Sequence, residues 1–229
     1  MIDRDFLLGK KAEAMIPWAG STHLIHPELQ SPLRKLTEAA AAEGFQLKLV
    51  SGFRSYEKQL SIWNQKAQGL RAVLDDEGEP LYLEDYSSAE WVTKILRWSA
   101  LPGASRHHWG TDIDVIDQAA LAAGETFDLL ASECAPEGVF GDFHLWLDEK
   151  IKHGESFGFY RPYAEDLGGV APEKWHLSYA PLSNDFFQHY DQELFIENCK
   201  SAHLLLGKEV LEQAAQLYQR FFLRINSST

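Results

Sequence analysis

The sequence predicts an α+β fold. Three observations predict it: stretches whose apolar residues recur at helical spacing, short stretches that alternate apolar with polar residues, and no regular strand–helix–strand rhythm of the kind a parallel sheet needs. Ser31-Pro32 followed by Leu33, Leu36, Ala39 and Ala40 reads as a capped amphipathic helix with proline in its first turn, ending near Gly44. Phe45, Leu47 and Leu49 then alternate with Gln46 and Lys48, a half-buried strand that leads into SGFRSY at 51–56. A second helix is expected from Ser55, with Leu60, Trp63 and Ala67 on one face. A third is expected from about Ser88 to Trp98, with Trp91, Ile95 and Trp98 inward, and the DDEGEP segment at 75–80 forms a turn between them. Thr111 to Ile116 alternates again and sets Asp112 and Asp114 on the same side of a strand. Residues 119–150 are expected to be helical around a central loop at Pro136 and Gly138. Trp175, Leu177 and Tyr179 mark another short strand, and residues 203–225 trace a helical apolar stripe read as core packing.

Composition narrows the function classes. The chain has 229 residues, 34 acidic against 21 basic, and a formal charge of −13, with 45% apolar residues. That is too apolar for disorder and long enough for a buried core. The only local basic cluster, Lys10 and Lys11, is too small to displace counterions from a duplex, so nucleic acid is not an expected partner. No apolar run approaches the roughly 20 residues that span a bilayer. The first twenty residues hold no apolar segment of the kind that directs secretion, which sets the expectation of a cytoplasmic protein; a chain trimmed of its leader, and so periplasmic, would read the same. Cys134 and Cys199 are far apart and without CxxC spacing, which fits reduced core thiols. With no repeats or linkers, one domain over 1–229 is expected.

Four histidine and carboxylate positions stand out. His107 lies in PGASRHHWGTDID, seven residues before Asp114, with Gly110 allowing a tight turn between them; His176 follows Glu173 by three residues in EKWH. Two imidazoles and one carboxylate are a three-ligand set for catalytic zinc, leaving a fourth position for water, and Glu173 is then the candidate general base. Spacing alone is equally consistent with a hydrogen-bonded His107 and Asp114 beside a solvated Glu173.

The residues resemble a known family. SRHHWGTDID at 105–114 matches the S-x-H-x-x-G-x-x-x-D signature of the VanY-like D-alanyl-D-alanine carboxypeptidases, EKWH at 173–176 matches their E-x-W-H, and SGFRSYEKQ at 51–59 is similar to their S-G-[YF]-R-S-x-x-x-Q. All three occur in the family's order, and the resemblance covers about residues 25–180, which leaves a helical extension at about 181–229. It implies a small central antiparallel sheet flanked by helices, the core of the LAS and hedgehog-like zinc peptidases. It further implies one zinc per chain on His107, Asp114 and His176, with Glu173 activating water and protonating the leaving amine. Arg54 would direct its guanidinium at the substrate carbonyl or the oxyanion, a task suited to a permanently charged fork. Ser105 and Gln59 would contact the peptide or its terminal carboxylate.

The neighbours of these residues carry further expectations. His108 reads as a supporting or pocket-wall residue. Asp112 stands where relatives often carry a small residue; it can orient a ligand imidazole, bind a substrate ammonium or reach solvent. Trp109 and Trp175 are read as packing residues, with a place on the cleft wall as the alternative, and Arg106 and Arg161 as surface residues, with assistance to a terminal carboxylate as the alternative. The resemblance implies a peptidoglycan stem peptide as substrate. With a cytoplasmic location, the expected reaction is L,D-carboxypeptidase trimming of tetrapeptides to tripeptides in muropeptide recycling. D,D-cleavage of pentapeptides, endopeptidase cleavage of the L-alanyl-D-glutamate bond, and a non-catalytic zinc module that binds wall fragments are the alternatives. Glu173 argues against the last, because a binder needs no general base.

Overall fold

The computed structural model describes residues 2–12, 14–201 and 203–228. Its centre is a four-stranded antiparallel sheet in the order 47–51, 112–117, 176–179, 159–160. The α+β expectation and the small antiparallel sheet both hold. Strand Asp112–Asp117 lies between two neighbours and is buried at all six positions. One face carries Ile113 and Val115, which pack with Leu47, Leu49 and Leu177 against Leu33 and Leu36 of helix Gln30–Ala42 and against Phe143 and Leu147 of helix Gly141–Lys152. The opposite face carries Asp112, Asp114 and, at its far end, Ile116, which packs with Cys134, Phe140 and Trp175.

The strand pairing is irregular where it approaches the carboxylates. Leu49 faces Val115 while Ser51 faces Asp114, a bulge that places one extra residue in the outer strand. A bulge bends the strand and re-aims the residues that follow it. Here it swings Gly52, Phe53 and Arg54 over the site. Gly52 is required by space, because a Cβ there would lie 2.4 Å from the Leu24 carbonyl oxygen. Gly110 is required by conformation and by space, with φ +66° and a would-be Cβ 2.6 Å from Met15 Sδ.

Helix Tyr56–Ala67 begins where the sequence places it, with Ser55 Oγ accepting the Lys58 N–H at 3.2 Å. Helix Ser88–Leu96 opens on a Ser87–Glu90 capping box and stops two residues short of Trp98. These two helices pack Trp63, Trp91, Val92 and Ile95 with Leu7, Trp109, Phe195, Leu217 and Phe222 in a second core, so the segment beyond residue 181 covers the outer side of the helices that flank the site. Trp109 is a packing residue, fully enclosed, with Nε1–H donating to the Leu7 carbonyl at 3.1 Å.

Two expectations for secondary structure are corrected. Residues 119–150 form a helix only from Gly141; before it lie two 3-10 turns, Gln118–Ala120 and Ala131–Cys134, separated by irregular chain. Gly124 at φ +90° and Pro136 interrupt any continuous helix there. The 203–225 stripe is broken into Gly207–Glu212, Ala214–Leu217 and a π-turn over Tyr218–Phe222, which buries the adjacent Phe221 and Phe222 together. Cys134 and Cys199 are buried and free, and burial pushes both thiols up to about 12. Among the described residues no helix is long and apolar enough to cross a membrane.

Candidate active site

His107 sits on the 3-10 turn Arg106–Trp109, which Gly110 ends in the left-handed conformation. Its Nδ1 lies 3.0 Å from the Gly52 carbonyl and 3.1 Å from the Asp112 carbonyl. Both neighbours only accept, so Nδ1 carries the hydrogen and the Nε2 lone pair faces Asp114 Oδ2 at 3.4 Å. Burial pushes His107 down to about 4, which keeps it neutral. In His176 the roles of the nitrogens are reversed. Nε2–H donates to Asp112 Oδ1 at 3.0 Å, leaving Nδ1 turned to Asp114 Oδ1 at 3.3 Å and Glu173 Oε2 at 3.5 Å. Burial alone would lower His176, but Asp112 and Asp114 outweigh it and raise the imidazole to about 10, so an incoming metal ion displaces a proton.

The ligand atoms offered by His107, Asp114 and His176 lie within 4.8 Å of one another. Asp114 Oδ1 is buried and, apart from the 3.3 Å approach of His176 Nδ1, has no partner among the described residues. A buried carboxylate oxygen so poorly satisfied is costly, and a cation that replaces the His176 proton between the two imidazoles satisfies it. The donor set therefore fits a metal ion.

Asp112 stands behind this set. It is fully buried, and burial alone would raise its pKa; Arg106 and His176 outweigh that and hold the carboxyl far below its ordinary value. Its Oδ1 also accepts from Arg106 Nε at 2.7 Å and its Oδ2 from Thr111 Oγ1 at 2.9 Å. Arg106 in turn donates through Nη2 to Ser178 Oγ at 2.7 Å and Tyr160 Oη at 3.2 Å, and lies 4.9 Å over the Trp109 ring. The surface position expected for Arg106 is thus corrected: the buried Asp112 demands a buried cation, and removing one partner of such a pair costs about 3–5 kcal/mol. Arg161 is buried as well, donating to the Lys174 carbonyl at 2.6 Å and to His144 Nδ1 at 3.2 Å and pairing with Asp148. Because Asp112 holds the outer nitrogen of His176, Asp112→Asn is expected to weaken zinc binding by about 10–100-fold. Competition against a chromophoric chelator measures it, with circular dichroism showing that the fold is kept.

Arg54 is fixed by backbone and side chain alike. Its N–H donates to the His107 carbonyl at 3.0 Å, Nη1 to Gln59 Oε1 at 2.9 Å and Nη2 to Ser51 Oγ at 3.1 Å. Gln59 is fully buried and spends its amide on the Ala100 carbonyl at 2.7 Å. His108 is also fully enclosed, with Nδ1–H donating to the Arg54 carbonyl at 2.6 Å and Nε2 accepting from Gly103 N–H at 2.9 Å. Burial pushes it down to about 3, so it is a neutral strut between two loops.

These groups surround a cavity of about 910 Å³. The structure brings Arg54, Ser105, His107, Asp114, Glu173, Trp175 and His176 to its wall, and leaves Gln59, His108 and Asp112 behind the wall as supports for Arg54 and His176. Burial, with the charge of Asp114 added, pushes Glu173 up to about 7 against the pull of His176, Arg54 and Lys66. Among the lining residues that sequence reasoning missed are Tyr163, whose ring lies 5.0 Å from that of His176, Trp98, stacked on Trp175 at 6.4 Å, and the cations Lys66 and Arg71. For Lys66 a signal existed, since it follows Gln59 by seven residues on one helix and so shares its face.

Fold and site together define a metal-dependent hydrolase. The chain belongs to the VanY family of D-alanyl-D-alanine carboxypeptidases, whose family model matches residues 22–182. An uncharacterized protein of Haemophilus influenzae is 28% identical over 125 residues, which are 54% of this chain and 93% of that protein. A D-alanyl-D-alanine carboxypeptidase of Enterococcus faecalis is 29% identical over 153 residues, 66% of this chain and 46% of that protein. The structure of VanYB in complex with D-alanine-D-alanine shares the fold, with a TM-score of 0.52 and 24% identity over 79% of this chain and 87% of that one.

Proposed function

We propose that the protein is a zinc carboxypeptidase that removes C-terminal D-alanine from peptidoglycan stem peptides. The observation that carries this reading is the convergence of His107, Asp114 and His176 on one cavity wall with Glu173 beside them, near enough to exchange a proton with the site. His107, Asp114 and His176 would hold the zinc ion, which when bound would supply the positive charge that polarises a carbonyl and acidifies a water. Glu173, which burial raises above the ordinary carboxyl range, takes the water's proton and returns it to the leaving amine. Arg54, its fork held by Gln59 and Ser51, faces the oxygen on which charge develops. Ser105 contacts the peptide, and the stacked Trp98 and Trp175 form an apolar wall for its side chains.

Between the two bonds, we place D,D-cleavage of the pentapeptide first, supported by the description of the family and of the Enterococcus relative. L,D-cleavage of the tetrapeptide, and with it a recycling role in the cytoplasm, rests on no residue of the cavity wall. Mass spectrometry of products from matched tetra- and pentapeptide muropeptides tests both. Free D-alanine released from either, lost with chelator and restored by zinc, supports the reading and assigns the bond. Dipeptide-sized products would assign the endopeptidase instead, and zinc-loaded protein that turns over neither substrate would leave only the binding module.

A further inference from the structure

Lys66 presents an unpartnered cation to the cavity. Its side chain follows Gln59 by two turns of helix Tyr56–Ala67, it is only 9% exposed, and among the described residues its ammonium makes no hydrogen bond or ion pair. Arg71, a few residues beyond the helix, lines the same cavity with a guanidinium that is also unpaired among the described residues. No neighbouring acid forms an ion pair with either among the described residues, although the charge of Glu173 acts on Lys66. Asp75 Oδ1 is taken up by the N–H groups of Glu77 and Glu79 at 3.0 and 2.8 Å, and Asp76 by Arg97 at 2.7 and 2.9 Å. A buried ammonium with no acceptor is costly to maintain, so its counter-charge is expected from outside the chain.

We propose that Lys66, with Arg71 beside it, forms the subsite that receives the terminal carboxylate of the substrate. This rests on the carboxypeptidase reading above. The carboxylate of the departing residue lies one residue beyond the scissile carbonyl, so its binding group must sit close to the base that protonates the leaving amine. Lys66 meets this condition because it lines the same cavity as Glu173 and Arg54, and its charge acts on both. The other cations of the cavity wall have other tasks: Arg54 is aimed by Gln59 and Ser51 at the oxyanion position, and Arg106 is paired with Asp112. Gln59, the side chain that family resemblance offers for this contact, is spent on Arg54 and the Ala100 carbonyl.

The test uses the full-length, zinc-loaded Glu173→Gln protein, in which substrates stay intact. Calorimetry compares a stem pentapeptide ending in free D-alanine with the same peptide ending in D-alaninamide, and repeats the pair with tetrapeptides. The free acid is expected to bind at least about tenfold tighter than the amide, as a charge-assisted contact requires. Adding Lys66→Met removes that preference and leaves amide binding within about threefold, while Lys66→Arg restores most of it. Because Glu173 is already neutral in this background, a Lys66 that served only as its counter-ion would change nothing, and that result overturns the proposal. Equal weakening of acid and amide overturns it too, as does a penalty that follows a side-chain carboxylate at the third stem residue. Should Lys66→Met not fold, Arg71→Met at its exposed position reads the same preference, with a partial loss expected and no loss overturning the proposal. If no stem peptide binds and the wild-type protein releases no D-alanine, the carboxypeptidase reading itself falls; binding with an unaltered acid preference in the Lys66 variant overturns the subsite alone.

Discussion

Replacing Glu173 with glutamine is expected to lower kcat/KM for D-alanine release by at least about 100-fold while zinc stays bound, because the amide keeps the shape of the carboxyl but cannot carry a proton. The carboxyl is nearly enclosed and lies 3.5 Å from the candidate ligand His176, so no solvent carboxylate is placed to replace it. Its pH behaviour provides a second readout. Burial raises Glu173 to about 7 in the metal-free protein, which means that it is protonated and idle as a base below that value and ionised above it. A bound dication favours the ionised form and moves the transition to lower pH. The wild-type kcat/KM is therefore expected to rise with pH along an acid limb that lies at or below pH 7, and the glutamine variant is expected to lack that limb. Elemental analysis for zinc alongside the pH profile separates loss of the base from loss of the metal. Unchanged turnover, or an acid limb that persists in the variant, would remove Glu173 from the mechanism.

The legible parts of this molecule are those where residue type and local spacing suffice. His107, Gly110 and Asp114 lie on a turn and the strand that follows it, so ten residues of sequence already carry two candidate ligands and the hinge between them. Asp112 was legible as sharing a strand face with Asp114, but alternation cannot say what covers a face. Here the partner is Arg106 from the preceding turn, braced by Ser178 from a strand more than sixty residues away. That long-range bracing is also why a surface position was the natural expectation for Arg106. Residues 118–140 were illegible for a related reason. Their shape depends on contacts such as Glu133 accepting from the N–H groups of Asp128 and Leu130, which no helical or strand period encodes. Gln59 and Lys66 share a helix face, yet whether a side chain on that face props up an arginine or reaches open space depends on the loop packed against it.

Removing the Arg54 guanidinium is the other change with a large expected effect. In Arg54→Met, kcat is expected to fall by about 10²–10³-fold, the scale seen when one preorganised donor to a developing oxyanion is lost. KM is expected to change little, since charge accumulates on the carbonyl oxygen only as the bond breaks. Arg54→Lys is expected to recover only a minor part of the rate. The fork is aimed by two separate bonds, Nη1 to Gln59 and Nη2 to Ser51, and a single ammonium on a shorter stem cannot make both and still reach the substrate. The same geometry sets a graded effect for Gln59→Leu, which frees one arm of the fork and is expected to lower kcat less than Arg54→Met does. Steady-state kinetics on the three variants thus divides the cationic wall by function. A kcat effect belongs to Arg54 and its support, whereas a binding effect confined to free carboxylates belongs to Lys66. Loss of substrate affinity in Arg54→Met with kcat intact would reverse that division and make Arg54 the carboxylate anchor.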